Sequence, residues 1–213
     1  MTFLPDLTTF LTYSLASMLL FITPGPDMSL WLSRTIVSGR RAGIAAMAGT
    51  QIGCVVHTAL AAFGVSALIA ASPTAFTALK IVGALYLLWL AVDAIRNGSS
   101  LNVRTENQPK ATALSSFILG VTVNLTNPKV VLFFITFLPQ FVSASDPHVT
   151  GKLLFLGLYF VAINTPLAAL LIWGAEKVVT WLKARPLVLR GVDYSFAGVF
   201  AFFAFRIAMT QGR

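Results

Sequence analysis

The chain has 213 residues, 57% of them hydrophobic and only 10% charged, with a mean hydropathy of +0.83. Soluble domains are about one quarter charged, so this composition excludes a soluble globular fold and points to an integral membrane protein. The net charge of +8 comes from Lys and Arg that fall mainly in connections; it reads as positive charge kept on one membrane side, with no nucleic-acid partner.

The predicted architecture is all-α and membrane-integral: six transmembrane helices in a single transmembrane domain spanning residues 1–213. The apolar runs reach or exceed the roughly 18–20 residues that cross a bilayer. Segment one covers residues 8–37. The first six residues hold Asp6 and no Lys or Arg, and no Ala-x-Ala-like site follows, so this is expected to be a spanning helix rather than a cleaved signal. It is interrupted by Thr23-Pro24-Gly25-Pro26-Asp27. Segment two, residues 44–71, carries His57 as its titratable group, with Gly49-x-x-x-Gly53 on the same face for close helix packing. Cys54 stands alone in the chain, which leaves no intrachain disulfide and no thiolate metal cluster.

Pro73 separates segment two from segment three, residues 75–95. A polar loop over residues 96–112 marks the midpoint. Segment four, residues 113–138, is interrupted by Asn127-Pro128-Lys129. Segment five, residues 153–174, includes Asn164 and Pro166, and segment six covers residues 191–208. Ten basic residues lie at the first, third and fifth connections (Arg34, Arg40, Arg41; Arg96, Arg104, Lys110; Lys177, Lys183, Arg185, Arg190). Four lie on the other side: Lys80, Lys152, Arg206 and Arg213. The imbalance places those three connections in the cytoplasm and both termini outside.

The halves match in order. Pro26-Asp27 and Pro128-Lys129 are 102 positions apart, Gly53 and Gly157 are 104 apart, and Gly83-x-x-Tyr86 precedes Gly191-x-x-Tyr194 by 108. Repeat A (about 8–95) and repeat B (about 113–208) therefore read as two three-helix repeats. Three is odd, so the second copy is expected to be inverted, with helices 1 and 4 broken at the Pro motifs. Paired broken helices in inverted repeats mark a transporter's binding site, because irregular backbone at membrane depth must be buried in protein or line a watery cavity.

The breaks supply the candidate chemistry. Asn127 suits a helix N-cap, and Pro128 the first helical position, where its missing N–H costs nothing. Lys129 is then a cation at the positive end of a helix dipole, costing roughly 2.5–3.5 kcal/mol on insertion scales. Asp27 or a substrate carboxylate is expected to offset it, unless its stem carries the charge to an interface. Asp27 follows Pro24, Gly25 and Pro26 and is suited to bind an ammonium, carry a coupling proton, or simply cap the break. His57 reads as a proton relay or, more commonly, a satisfied interhelical hydrogen bond. Gln51 and Asn164 either line a cavity or bond a neighbouring helix. Asp93 and Asp193 read as interfacial, and Trp31, Trp89 and Trp173 as interfacial anchors or core. With two His and one Cys there is no metal site, no catalytic residue and no enzyme signature.

Phe21-Ile22-Thr23-Pro24-Gly25-Pro26-Asp27, Gly39-Arg40-Arg41-Ala42-Gly43, Gly49 through His57, residues 83–90, Asn124-Leu125-Thr126-Asn127-Pro128-Lys129 and residues 137–141 together resemble the lysine-exporter family. The likeness is to its branch exporting homoserine, threonine and other neutral amino acids. The resemblance implies a multi-pass exporter in a bacterial inner membrane, moving a small-molecule amino acid outward, driven by the proton motive force and needing no cofactor. The half-helix N-terminus beside Lys129 is expected to receive the substrate carboxylate. Export of a metal ion or another small solute, or a membrane scaffold in which Asp27 and Lys129 form a structural pair, are the alternatives. A homo-oligomer is compatible with either.

Overall fold

The computed structural model describes residues 5–98, 103, 109–143 and 145–210. Arg104 and Arg213 of the charge count lie outside the described residues, as does much of the polar loop. The described chain is helical. Helix α1 (Leu7–Ile22) and α2 (Pro26–Ser38) form the first segment, α3 (Arg40–Ala71) the second and α4 (Pro73–Asn97) the third. The fourth is α5 (Ala113–Thr126) followed by α6 (Pro128–Leu132), a π-turn over Phe133–Phe137 and a 3-10 turn over Leu138–Phe141. Helix α7 (Val149–Trp173) is the fifth, and α9 (Pro186–Thr210) the sixth. Four of these helices are long and apolar enough to cross a membrane, and each bent pair completes a further span, giving up to six. This is a multi-pass helical membrane protein.

Local chemistry sets the helix ends. Asp6 caps α1, accepting the Thr9 N–H at 3.0 Å, and bonds with Thr9 hold its carboxyl below the usual carboxylate range. Ser72 caps α4 through the Ala75 N–H at 3.1 Å, with Pro73 at the first helical position. Asp146 pairs with Lys152 just before and within the first turn of α7, and that bond lowers the Asp146 pKa.

One element was not expected from the order of residues. Residues 175–183, read as part of the fifth connection, form α8 (Ala175–Lys183), which buries Ala175 and Val179 one turn apart and leaves Glu176, Lys177 and Lys183 exposed. Such spacing lays a short amphipathic helix along a surface.

Small residues bring the spans together. A Cβ on Gly49 would lie 2.1 Å from the Phe117 carbonyl oxygen, and one on Gly120 would lie 2.2 Å from that of Ala46. The α3 and α5 backbones thus touch directly, as Gly-x-x-x-Gly faces do in lipid. Gly53 lies against the Asn124 side chain and Gly157 against Thr58 in the same way. Beside this seam sits an aromatic core in which Phe133, Phe134 and Phe137 are fully buried and stack with Phe160 and Phe200.

Candidate functional site

The chain bends by 50° between α1 and α2 and by 54° between α5 and α6, and the two breaks lie against each other. Their charges do not meet directly. Lys129 Nζ donates to the Leu20 carbonyl at 3.1 Å and the Thr23 carbonyl at 2.8 Å. Those are carbonyls left open at the C-terminus of α1, the negative end of its dipole. Main-chain oxygens thus hold the ammonium in place of a direct bond to Asp27. Asp27 in turn accepts the Asn124 amide at 2.6 Å and the Asn127 amide at 3.0 Å. Among the described residues the ion pair within reach is Lys152–Asp146, so Asp27 and Lys129 are cross-braced through the opposite break rather than paired.

Asn127 does cap α6, its Oδ1 accepting the Lys129 N–H at 3.1 Å. The next two N–H groups, from Val130 and Val131, both reach the Asn127 carbonyl. With Pro128 lacking a donor, the α6 N-terminus is saturated and has nothing to offer a carboxylate. That corrects the expected receptor. The N-terminus of α2 is different: Gly25 supplies no side-chain cap, and Lys129 Nζ lies 3.9 Å from where a Gly25 Cβ would be. Thr23 satisfies a freed group, its hydroxyl donating to the Leu19 carbonyl at 2.6 Å.

A cavity of about 60 Å³ opens at this junction, between α1, α2, α3 and α7. Gly25, Asp27, Gln51, Asn127, Lys129 and Asn164 all line it, which brings together six of the ten candidates. Asn164 is 1% exposed, and neither its oxygen nor its nitrogen has a partner; Gln51 Oε1 is likewise buried and unbonded. Buried polar atoms are rarely left so. A second, larger cavity of about 530 Å³ lies on the other side of the breaks, between α2, α4 and α9. It takes in Pro24, Pro26 and Pro128, and it shares Thr23, Gly25, Asn127 and Lys129 with the first.

His57 lines neither cavity. Its Nε2 lies 3.3 Å from the Asn124 carbonyl; a carbonyl only accepts, so that nitrogen carries the proton. The ring stacks on Phe134. The bond is the interhelical one, between α3 and α5. Trp31 is core, donating to Thr50 Oγ1 at 3.0 Å, whereas Trp89 and Trp173 are exposed. Asp193, read as interfacial, is instead 1% exposed and lines the larger cavity. Asn124 was missed as a site residue. Its signal was available: three residues before Asn127 on one helix face, and opposite Gly53.

Among the described residues no three His, Cys, Asp or Glu side chains gather as a metal site would require. What remains is a multi-pass helical bundle whose two broken spans enclose a buried polar chamber. The sequence profile of the LysE type translocators matches residues 18–211. The chain belongs to that family. It is 29% identical over 188 residues to the homoserine/homoserine lactone efflux protein of Salmonella typhimurium, covering 88% of this chain and 90% of that one. To the leucine efflux protein of Klebsiella pneumoniae it is 32% identical over 208 residues, 95% of each chain. An uncharacterized membrane protein of Vibrio cholerae is 33% identical over 159 residues, 75% of this chain and 77% of its own. The named relatives are efflux proteins, not enzymes. No solved structure matches the chain.

Proposed function

We propose that the protein exports a small neutral amino acid from the cytoplasm across a bacterial inner membrane, driven by the proton motive force. The observation that carries this reading is the buried Asn164 amide, which lines the chamber of Asp27 and Lys129 and has no hydrogen-bond partner for either polar atom. The substrate carboxylate is received by the uncapped N-terminus of α2 and the remaining proton of the Lys129 ammonium. The substrate ammonium goes to Asp27, which carries the coupling proton when the site is empty. The amide of Asn164 and Gln51 Oε1 complete the shell. One cation and one anion at a single site match a zwitterion and leave no net charge to be neutralised.

The relatives named for homoserine and leucine efflux support an amino-acid cargo. The two halves act as inverted repeats that rock against each other about the breaks, with the first, third and fifth connections facing the cytoplasm. Inside-out membrane vesicles test the reading. Energised vesicles are expected to accumulate labelled homoserine or leucine and to lose that uptake on adding a protonophore. Vesicles that accumulate no amino acid above the level of vesicles lacking the protein would overturn it.

A further inference from the structure

The cavity of about 530 Å³ between α2, α4 and α9 has no role in the reading above. Its size falls within the roughly 300–1,000 Å³ of small-molecule sites. The chamber at Asp27 measures about 60 Å³, room for a few waters and too little for an amino acid in this conformation. The larger cavity is also chemically graded. Lys129 forms part of its wall next to the breaks, with Nζ 5.3 Å from the centre of the Phe196 ring. Tyr86 and Trp89, stacked at 5.4 Å, supply an apolar wall. Asp93 and Asp193 supply carboxylates further along α4 and α9, in the wall of the same cavity as Lys129. A carboxylate buried at membrane depth is costly and marks function by default.

We propose that this cavity is a second amino-acid site, an antechamber that receives the substrate before it reaches Asp27. The amino acid lies with its carboxylate on Lys129, its ammonium toward Asp93 and Asp193, and its side chain against Tyr86, Trp89 and Phe196. Lys129 is the one charged residue lining both cavities among those described. It holds the carboxylate throughout, so that transfer moves the ammonium from Asp93 and Asp193 to Asp27. A site walled by broad aromatic faces reads the zwitterion and tolerates varied side chains, leaving finer selection to the inner chamber.

This inference rests on the export reading, and its test separates the two. Labelled homoserine and leucine are titrated onto the purified full-length protein, and KM and maximal rate are measured in inside-out vesicles. Trp89 is 56% exposed and stacks on Tyr86, so its replacement alters the cavity wall rather than the buried core. Trp89→Ala and Asp93→Asn are expected to raise Kd and KM about tenfold while the maximal rate stays within twofold. Trp89→Phe, which keeps an aromatic face, is expected to stay near wild type. Asp27→Asn is expected to lose transport yet keep binding. Unchanged Kd and KM in Trp89→Ala and Asp93→Asn, or a fall in maximal rate alone, would overturn the antechamber while leaving export standing. Absence of amino-acid binding and uptake in the wild type would remove both.

Discussion

The two breaks bend the chain by nearly the same angle, yet they are finished in opposite ways. At the α5–α6 break the side chain of Asn127 caps the helix it precedes, its carbonyl takes the next donors, and its amide still reaches across to Asp27. At the α1–α2 break Gly25 caps nothing, the open carbonyls of α1 are filled by Lys129, and the carboxylate is held by side chains from the other half. One break is self-sufficient and lends its groups; the other is left unfinished and borrows. A ligand fits where donors and acceptors have been left over, and here they are left over on the α2 side.

That contrast can be broken experimentally, starting with the largest expected effect. Lys129→Met removes the ammonium that satisfies the Leu20 and Thr23 carbonyls, each worth about 1–3 kcal/mol when left unpaired, together with the cation offered to the substrate. Efflux of labelled amino acid, at expression matched by immunoblot, is expected to fall by about 100-fold or more. Asp27→Asn keeps the volume and is expected to cost about 10- to 100-fold in efflux, with a change of only a few degrees in melting temperature. A large loss of stability with normal specific activity would instead make Asp27 a structural cap.

Asn127→Ala sharpens the comparison from the other side. It removes a cap worth about 1 kcal/mol and one of the two amides on Asp27, so stability and efflux are both expected to fall, the latter about tenfold. A double-mutant cycle with Asp27→Asn measures how much of that passes through the bond between them; additive effects would deny the cross-brace. Thr23→Val is expected to be the mildest. Its hydroxyl only returns to the Leu19 carbonyl one turn back, which the Thr23 N–H also uses, so efflux should change less than twofold.

Much of this was legible from residue order, because the determining chemistry was local. Proline at a first helical position, an Asn before it and a charge after it announce a broken span wherever they occur, and Gly49 and Gly53 announced a close helix contact. What could not be read depends on the partner's backbone. The oxygens that hold Lys129 belong to Leu20 and Thr23, and any residue offers the same carbonyl, so no side-chain pattern marks them. For the same reason the saturation of the α6 N-terminus was invisible: Asn127 spends both its side chain and its main chain there. Asp193 looked interfacial by its distance from a predicted end at residue 191. The helix in fact begins at Pro186, which places Asp193 about two turns inside it. The π-turn at Phe133–Phe137 has no sequence signature either, since a carbonyl's choice between donors four and five residues on is decided by the surrounding core.

The seam between α3 and α5 has one more consequence. Gly49 and Gly120 leave no side-chain cushion between those two backbones, and a methyl group at either would be driven into a carbonyl of the facing helix, that of Phe117 or of Ala46. Rods in such contact cannot slide past one another without first separating, so the two halves, which meet along this seam, can rock only by pivoting on it. The pivot ends just beyond Asn124, where the fourth span bends.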